Sequence, residues 1–384
     1  MRWGVPVAAA AVIGAAIGAG PVIAAVSGEP VLPERSAEQL LADAVAATSK
    51  EGGIPPMSGT VQQTASLGLP ALPAAATGSS PLSLLSGSHE VKVWYGADDK
   101  LRVAMPTQLN ETNLILNGGQ AWYWDSATNT ATKLTIKQGG PERPETPVPQ
   151  PTDFTPQQVA ERVLAEAGEH TAVRVINTAE VAGRPVYQLV LSPKAESSLV
   201  QEVRIALDGE TYVPLQVQIY AKGSAEPAYQ VGFTQVTFTP PAAENFTFTP
   251  PAGAKVEEKE IGLDRAAHAE HAEHAKDVAD TAKIVGEGWA RVAVLPFDPG
   301  ELSAKAEQAR EDGSGHRGHG RFDGGGDPQA VLDSVLNSAT PVSGPWGSGR
   351  LIKTKLVTAL LTDDGRLLVG AVTPEEIIRA AGVK

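Results

Sequence analysis

Val213-Pro-Leu-Gln-Val-Gln-Ile-Tyr220 sets Val213, Leu215, Val217 and Ile219 against Pro214, Gln216, Gln218 and Tyr220. This period of two puts the apolar set on one face of a β-strand and the polar set on the other. Segments of similar composition surround it at 172–181, 185–192, 200–207 and 228–238. An earlier series lies at 88–95, 101–105, 109–117, 120–125 and 130–136, broken by turns such as Gly96-Ala-Asp-Asp99 and Asn117-Gly-Gly119, with one more strand at Met57–Ser66. Close spacing of about ten strands, interrupted by helices rather than alternating with them, predicts an α+β protein built on a strongly curved antiparallel half-barrel. A doubly wound sheet does not fit this order. Val186-Tyr-Gln-Leu-Val-Leu191 is apolar at both parities, so part of the sheet must be covered on both sides.

Two helices interrupt the strands. Ser36-Ala-Glu-Gln39 has the capping-box form and opens a helix over 36–48 with Leu40, Leu41, Ala44 and Val45 on one side, stopped by Gly52 and Gly53. Thr155-Pro-Gln-Gln158 opens a second, to 167, bearing Val159, Val163 and Leu164. Residues 67–86 are Pro, Ala, Gly, Ser and Leu and read as a long apolar loop, a natural flap over a sheet. Pro240, Pro241, Pro250 and Pro251 flank Phe246 and Phe248 and mark the end of the sheet region.

Composition narrows the function classes. The 384 residues carry 31 basic and 44 acidic side chains, a net charge of -13, which argues against nucleic acid or an anionic membrane surface as partner. The cysteine count of zero excludes disulfides, thiol nucleophiles and a lipid-modified N-terminal cysteine. At the N-terminus Met1, Arg2 and Trp3 precede an uncharged run from Gly4 to Ser27, with small residues Ala24 and Ala25 as cleavage points. That pattern fits a secretory signal at 1–28. The same run is long enough to be an uncleaved anchor, and Gly14-x-x-x-Gly18 would seat a neighbouring helix. Both readings place the rest of the chain outside the cytoplasm, secreted or tethered.

Beyond the main domain at 36–252, residues 253–283 are charged and Ala-rich and read as a helical linker. A small α+β C-terminal unit is expected at 284–384, interrupted by a Gly/His-rich insert at 311–327. Trp289, Val292, Val294 and Leu295 add a strand to it, and Asp327-Pro328 caps a helix with Val331, Leu332, Val335 and Leu336. Strands at 350–361 and 366–372 flank Thr362-Asp-Asp-Gly365, and Thr373-Pro-Glu-Glu376 caps the last helix.

The segment Leu116-Asn-Gly-Gly-Gln-Ala-Trp-Tyr-Trp-Asp125 closes a run that begins near Val93-Trp94. Strand, turn, strand, and a Gly-containing turn into an aromatic pair and Asp resemble the LolA-type lipoprotein carriers, the RseB-type sensors and related lipid-binding lipoproteins. The resemblance covers roughly 36–252, with the helices at 36–48 and 155–167 where that superfamily places its lid. It implies a half-open barrel whose apolar cavity holds acyl chains under a helical lid. Two departures stand out. The basic residue that carriers place after the aromatic of the first meander strand falls here at Gly96 or Ala97, and the lipobox cysteine of the anchored relatives is missing. The C-terminal unit brings the organisation nearer to the RseB-type sensors, without a residue-level match.

For the inward set the alternation nominates Leu101, Val103, Leu114, Leu116, Leu189, Leu191, Val217, Ile219, Val231 and Phe233, and the cavity reading adds Trp122 and Trp124. Trp94, Trp122, Tyr123 and Trp124 read equally as core or cross-strand pairs. His268, His271 and His274, and the pair His316 and His319, have metal-like spacing, but the acidic neighbours Glu270 and Glu273 fit a solvated helix and no second shell is identifiable, so neither a metal nor a cofactor is assigned. Gly-x-Ser-x-Gly, His-Glu-x-x-His, the phosphate-binding loop Gly-x-x-x-x-Gly-Lys-Ser/Thr and EF-hand patterns are all missing, which disfavours the enzymes that need them. The leading expectation is a non-enzymatic binder of lipid or of the acyl chains of a lipoprotein. The alternatives are an envelope sensor acting on a membrane-bound, anti-sigma type partner, and, third, a secreted enzyme on lipid or wall material.

Overall fold

The computed structural model describes residues 31–48, 53–69, 85–97, 99–107, 109–137, 164–165, 167–262, 282–297 and 338–383. The N-terminal run, the insert at 311–327, the helix from Asp327, both histidine clusters and, apart from 164, 165 and 167, the helix expected at 155–167 lie outside these residues.

The capping box forms as written. Ser36 N donates to Gln39 Oε1 at 3.1 Å and Gln39 N donates to Ser36 Oγ at 3.2 Å, satisfying two end groups of α1 (Ala37–Thr48). The main sheet follows: β1 (Met57–Ser66), β2 (Ser86–Ala97), β3 (Lys100–Pro106), β4 (Glu111–Asn117), β5 (Gln120–Asp125), β6 (Thr130–Lys137), β7 (Thr171–Val181), β8 (Arg184–Pro193), β9 (Val200–Asp208), β10 (Pro214–Ala221), β11 (Pro227–Thr237) and β12 (Lys255–Gly262). Its order is β12-β6-β5-β4-β3-β2-β1-β11-β10-β9-β8-β7, curved and not closed. β1 thus sits mid-sheet, with one meander running to each side.

Two expectations are corrected at the end of this sheet. Residues 255–262 are not the start of a helical linker but strand β12, paired in parallel with β6 from Lys255↔Thr130 to Gly262↔Lys137. Helix propensity yields because the free edge of β6 offers unpaired backbone groups. The incoming chain is also held in place, by Lys255 N donating to Asn129 O at 2.9 Å and Asn129 Nδ2 to Gly253 O at 2.9 Å. The proline-flanked segment therefore does not end the sheet. It carries the chain from mid-sheet β11 to the far edge, seven strand spacings or about 34 Å, and lays Phe246 and Phe248 on β3 to β5 as it goes.

The doubly apolar β8 is covered on both faces. Tyr187 and Leu189 pack under Leu40 of α1 with Leu207, whereas Val186 joins Val181, Ala206 and Leu215 in the largest core cluster. The residues before α1 are pinned to the same place: Leu32 N donates to Asn177 O at 3.0 Å, Asn177 Nδ2 to Leu32 O at 2.7 Å, and Tyr187 OH to Pro33 O at 2.9 Å.

A second sheet contains β13 (Lys283–Val285), β14 (Val292–Pro296), β15 (Thr340–Gly344), β16 (Gly347–Lys353), β17 (Thr358–Thr362) and β18 (Arg366–Gly370), in the order β13-β14-β18-β17-β16-β15. The strand expected at 350–361 is two strands. Thr354 breaks it, its hydroxyl accepting from Val357 N at 2.9 Å and Leu356 N at 3.3 Å to make a tight turn. The helix α2 (Pro374–Ala381) starts where expected, with Thr373 O accepting from Glu376 N and Ile377 N, and buries Ile377, Ala380 and Ala381 against Leu360 and Leu368.

The two sheets are fastened to each other. Leu199 N donates to Ala371 O and Thr373 N to Ser197 O, both at 2.8 Å, around a bridge from Ser198 to Val372. Trp289 Nε1 donates to Thr171 Oγ1 at 2.8 Å, and Lys355 reaches back to Leu67 O through its N at 2.7 Å and to Ser66 Oγ through its Nζ at 2.9 Å.

At the β9–β10 corner, fully buried Asp208 accepts from the Arg184 guanidinium, from Thr211 N at 2.8 Å and from Thr211 Oγ1 at 2.9 Å. Burial alone would raise its pKa, but the Arg184 and Thr211 hydrogen bonds outweigh that and hold it below the ordinary carboxylate range. A carboxyl depressed in the folded state adds stability above its unfolded pKa of about 3.9, and that stability is lost as pH falls through the lower folded value. Asp208→Asn is therefore expected to cost about 3–5 kcal/mol at neutral pH and to make the loss of stability below about pH 4 shallower than in the wild type, as read from urea melts across pH.

Candidate functional site

Cross-strand register assigns every strand residue to one of two faces, because directly opposed residues of an antiparallel pair share a face. One row of the first face runs Leu189, Ile205, Val217, Val231, Gln63, His89. The row beside it runs Leu191, Val203, Ile219, Tyr229, Ala65. Phe233 stands opposite Val61, and Val61 opposite Val91. The rows continue into the other meander as Val93, Val103, Leu114, Tyr123 and as Met57, Tyr95, Leu101, Leu116, Ala121. None of these residues is Asp, Glu, Lys or Arg; charge enters the same face beyond them, at Asp125 opposite Thr112 and on β12, where Glu257 and Lys259 stand opposite Thr132 and Leu134. Tyr123 is kept neutral too: burial, then the Asp125 charge, raises its phenol above the ordinary value, and burial does the same for Tyr229.

The reverse face is polar where it meets water. Thr60, Gln62, Gln216, Gln218 and Gln230 lie there, and Glu202 bridges Arg174 at 2.8 Å and pairs with Arg204. Desolvation pushes the Glu202 carboxyl up, but its two arginines bring it below its usual value.

Of the twelve residues nominated from sequence, ten fall on the apolar face: Leu101, Val103, Leu114, Leu116, Leu189, Leu191, Val217, Ile219, Val231 and Phe233. They do not share one environment. Leu189 packs under α1, and Val231 and Phe233 belong to the largest core cluster. Leu101, Val103 and Leu116 are half-buried, and Leu114 keeps 39% of its surface in solvent. Met105, next along β3 on the same face, keeps 36%. The face is therefore closed by α1 at the β7–β9 side and open at β3–β4.

Trp122 and Trp124 are on the other face. They stand opposite Ile115 and Asn113, one residue out of step with Leu114 and Leu116. Phe248 covers both, at ring-centroid distances of 5.4 Å and 5.9 Å. The aromatic of this segment that belongs to the apolar face is Tyr123, which alternation counted from Leu114 across the Asn117-Gly-Gly119 turn would have found. Phe246 also accounts for position 96: a Cβ on Gly96 would stand 2.9 Å from its ring, leaving no room for a basic side chain there. Among the described residues no group of three His, Cys, Asp or Glu side chains is placed to hold a metal, and no helix is long and apolar enough to cross a membrane.

The architecture defines a class, a curved twelve-stranded open sheet whose one face is apolar and uncharged along the rows from β8 to β4, with a small α+β unit fastened to it. No family model matches the chain, and no curated protein matches it. Similar solved structures include the Pseudomonas aeruginosa MucA/MucB complex, at 13% identity and TM-score 0.41 over 90% of this chain and 96% of that chain. A LolA superfamily protein from Nitrosomonas europaea matches at 11% identity and TM-score 0.21 over 56% and 99%. A DUF1329 family protein from Desulfovibrio piger matches at 9% identity and TM-score 0.21 over 55% and 97%. At these values they assign no side chain of this chain a role.

The placement of the tryptophans has a direct test. Phe248→Ala removes two aromatic pairs of about 0.5–1.5 kcal/mol each, so it is expected to lower stability by about 1–3 kcal/mol and to shift tryptophan emission to longer wavelength as Trp122 and Trp124 meet water.

Proposed function

We propose that this protein binds the acyl chains of a lipid or lipoprotein on the apolar face, outside the cytoplasm, without chemical change to them. The observation that carries the reading is the uninterrupted run of uncharged rows from Leu189 to Leu116 that ends in solvent at Leu114 and Met105. A sheet face of this size left open to water is costly, at roughly 25 cal/mol per Å² of apolar surface. A flexible hydrocarbon chain is a ligand that removes this cost without needing a polar partner. Specific headgroup recognition is not built into these rows, so affinity is expected to follow hydrocarbon length.

The test is native mass spectrometry and lipid extraction on protein purified from its own host, compared with Leu114→Glu. Leu114 keeps 39% of its surface in solvent, so the substitution should cost no more than about 2 kcal/mol and leave the fold in place, while placing a charge beside the bound chain. Wild type should carry co-purifying lipid and the variant at least tenfold less. Repeated recovery of lipid-free wild-type protein, or equal loading of both, would sink the reading.

One observation favours a second role built on the same face, that of a regulator reporting occupancy to a membrane-protein partner. The small sheet contributes Leu356 to the cluster that holds Ile219 and Tyr229, so a ligand over those rows touches a part of the molecule beyond the main sheet. Hydrogen exchange distinguishes the two roles: a reporter should change amide protection in β16, β17 and α2 on lipid loading, and a passive binder should change it only in the main sheet.

A further inference from the structure

We propose that Leu356 is the end stop of the apolar face and sets the longest acyl chain the protein accepts. This inference rests on the acyl-chain reading above. Leu356 comes from the turn between β16 and β17, retains 8% of its surface in solvent, and packs with Val200, Ala221 and Ala228 of the main sheet. Val203, Ile219 and Tyr229, which form one row of the apolar face, border the same cluster. Along β10 the face runs Val217, Ile219, Ala221, in steps of about 6.8 Å. A chain lying over Val217 and Ile219 therefore meets the Leu356 side chain one step further on. Ala221 and Ala228 are small at that step, and leave the space that Leu356 fills.

The stop is held rigidly. The Thr354 hydroxyl and backbone close its turn, with Thr354 N donating to Val357 O at 2.8 Å. Lys355, the residue before it, is bound to Leu67 O and Ser66 Oγ at the end of β1. A side chain serving only to glue the two sheets would have no effect on ligand length, and this is the contrast to measure.

The full-length protein is titrated with a graded series of saturated fatty acids, as wild type, Leu356→Ala and Leu356→Phe. Wild-type affinity should rise about fourfold per added methylene and then level off at a limiting length. In Leu356→Ala the rise should continue past that length, and in Leu356→Phe it should level off earlier. The Phe variant keeps the apolar contact between the sheets, so the test survives if the Ala variant fails to fold. The same limiting length in wild type and in each variant that folds, with binding intact, would overturn the end stop and leave the acyl-chain reading standing. Wild type that binds no fatty acid of any length would overturn both.

Discussion

The pairing of β1 with β11 joins what would otherwise be two separate meanders. Ser58 to Ala65 run opposite Thr237 to Tyr229, with a bulge between Thr60 and Val61, although the strands lie far apart in sequence. Because β1 also pairs with β2, this one contact makes a twelve-stranded sheet and lets the apolar rows pass from one meander to the next. The register is demanding. A slip of one residue would turn Val231 and Phe233 to the polar side, and a Cβ at Gly59 would stand 2.8 Å from the Phe233 ring. The bulge and the missing side chain at Gly59 are what let Phe233 settle over the joint.

With the sheet joined, its two faces take different covers. On the apolar face α1 seals the β7–β9 side through Leu40, and Leu356 reaches the row of Ile219 and Tyr229, which leaves Leu101, Val103, Leu114 and Leu116 as the less protected part. The polar face needs no cover over β9 to β11, where glutamines and the Glu202 ion pairs meet water. It needs one over β3 to β5, where Ile115, Trp122 and Trp124 point outward, and the crossing segment with Phe246 and Phe248 supplies it. The same crossing feeds β12 to the β6 edge, so the cover and the last strand of the sheet depend on one another.

The crossing also gives a physical reason for one departure from the carrier pattern. Carriers place a basic side chain after the aromatic of the first meander strand, and here the Phe246 ring lies where a side chain at position 96 would stand. That ring belongs to the cover over the reverse face of β3 to β5, so position 96 bears on that cover and not on the apolar face. The buried Arg184–Asp208 pair lies in the β8–β9 region, in a corner, and serves the frame of the fold.

Local patterning determined much of this protein. Period-two alternation marked ten of the twelve nominated residues for one face, the Ser36-Ala-Glu-Gln39 box marked the start of α1, and double apolarity in 186–191 marked a strand covered twice, because each of these is settled by neighbours within a few residues. Only the tertiary structure decided the rest. Trp122 and Trp124 look like cavity aromatics, and although counting from Leu114 gives their parity, it is Phe248, remote in sequence, that covers them on the reverse face. Residues 255–262 look helical until a free strand edge and Asn129 capture them. Leu356 looks like one apolar residue in a longer strand until Thr354 turns it toward Ile219 and Tyr229. In each case the deciding partner is remote in sequence or set by a turn's geometry, and the free energy gained by meeting it outweighs the few tenths of a kcal/mol that local propensity contributes per residue.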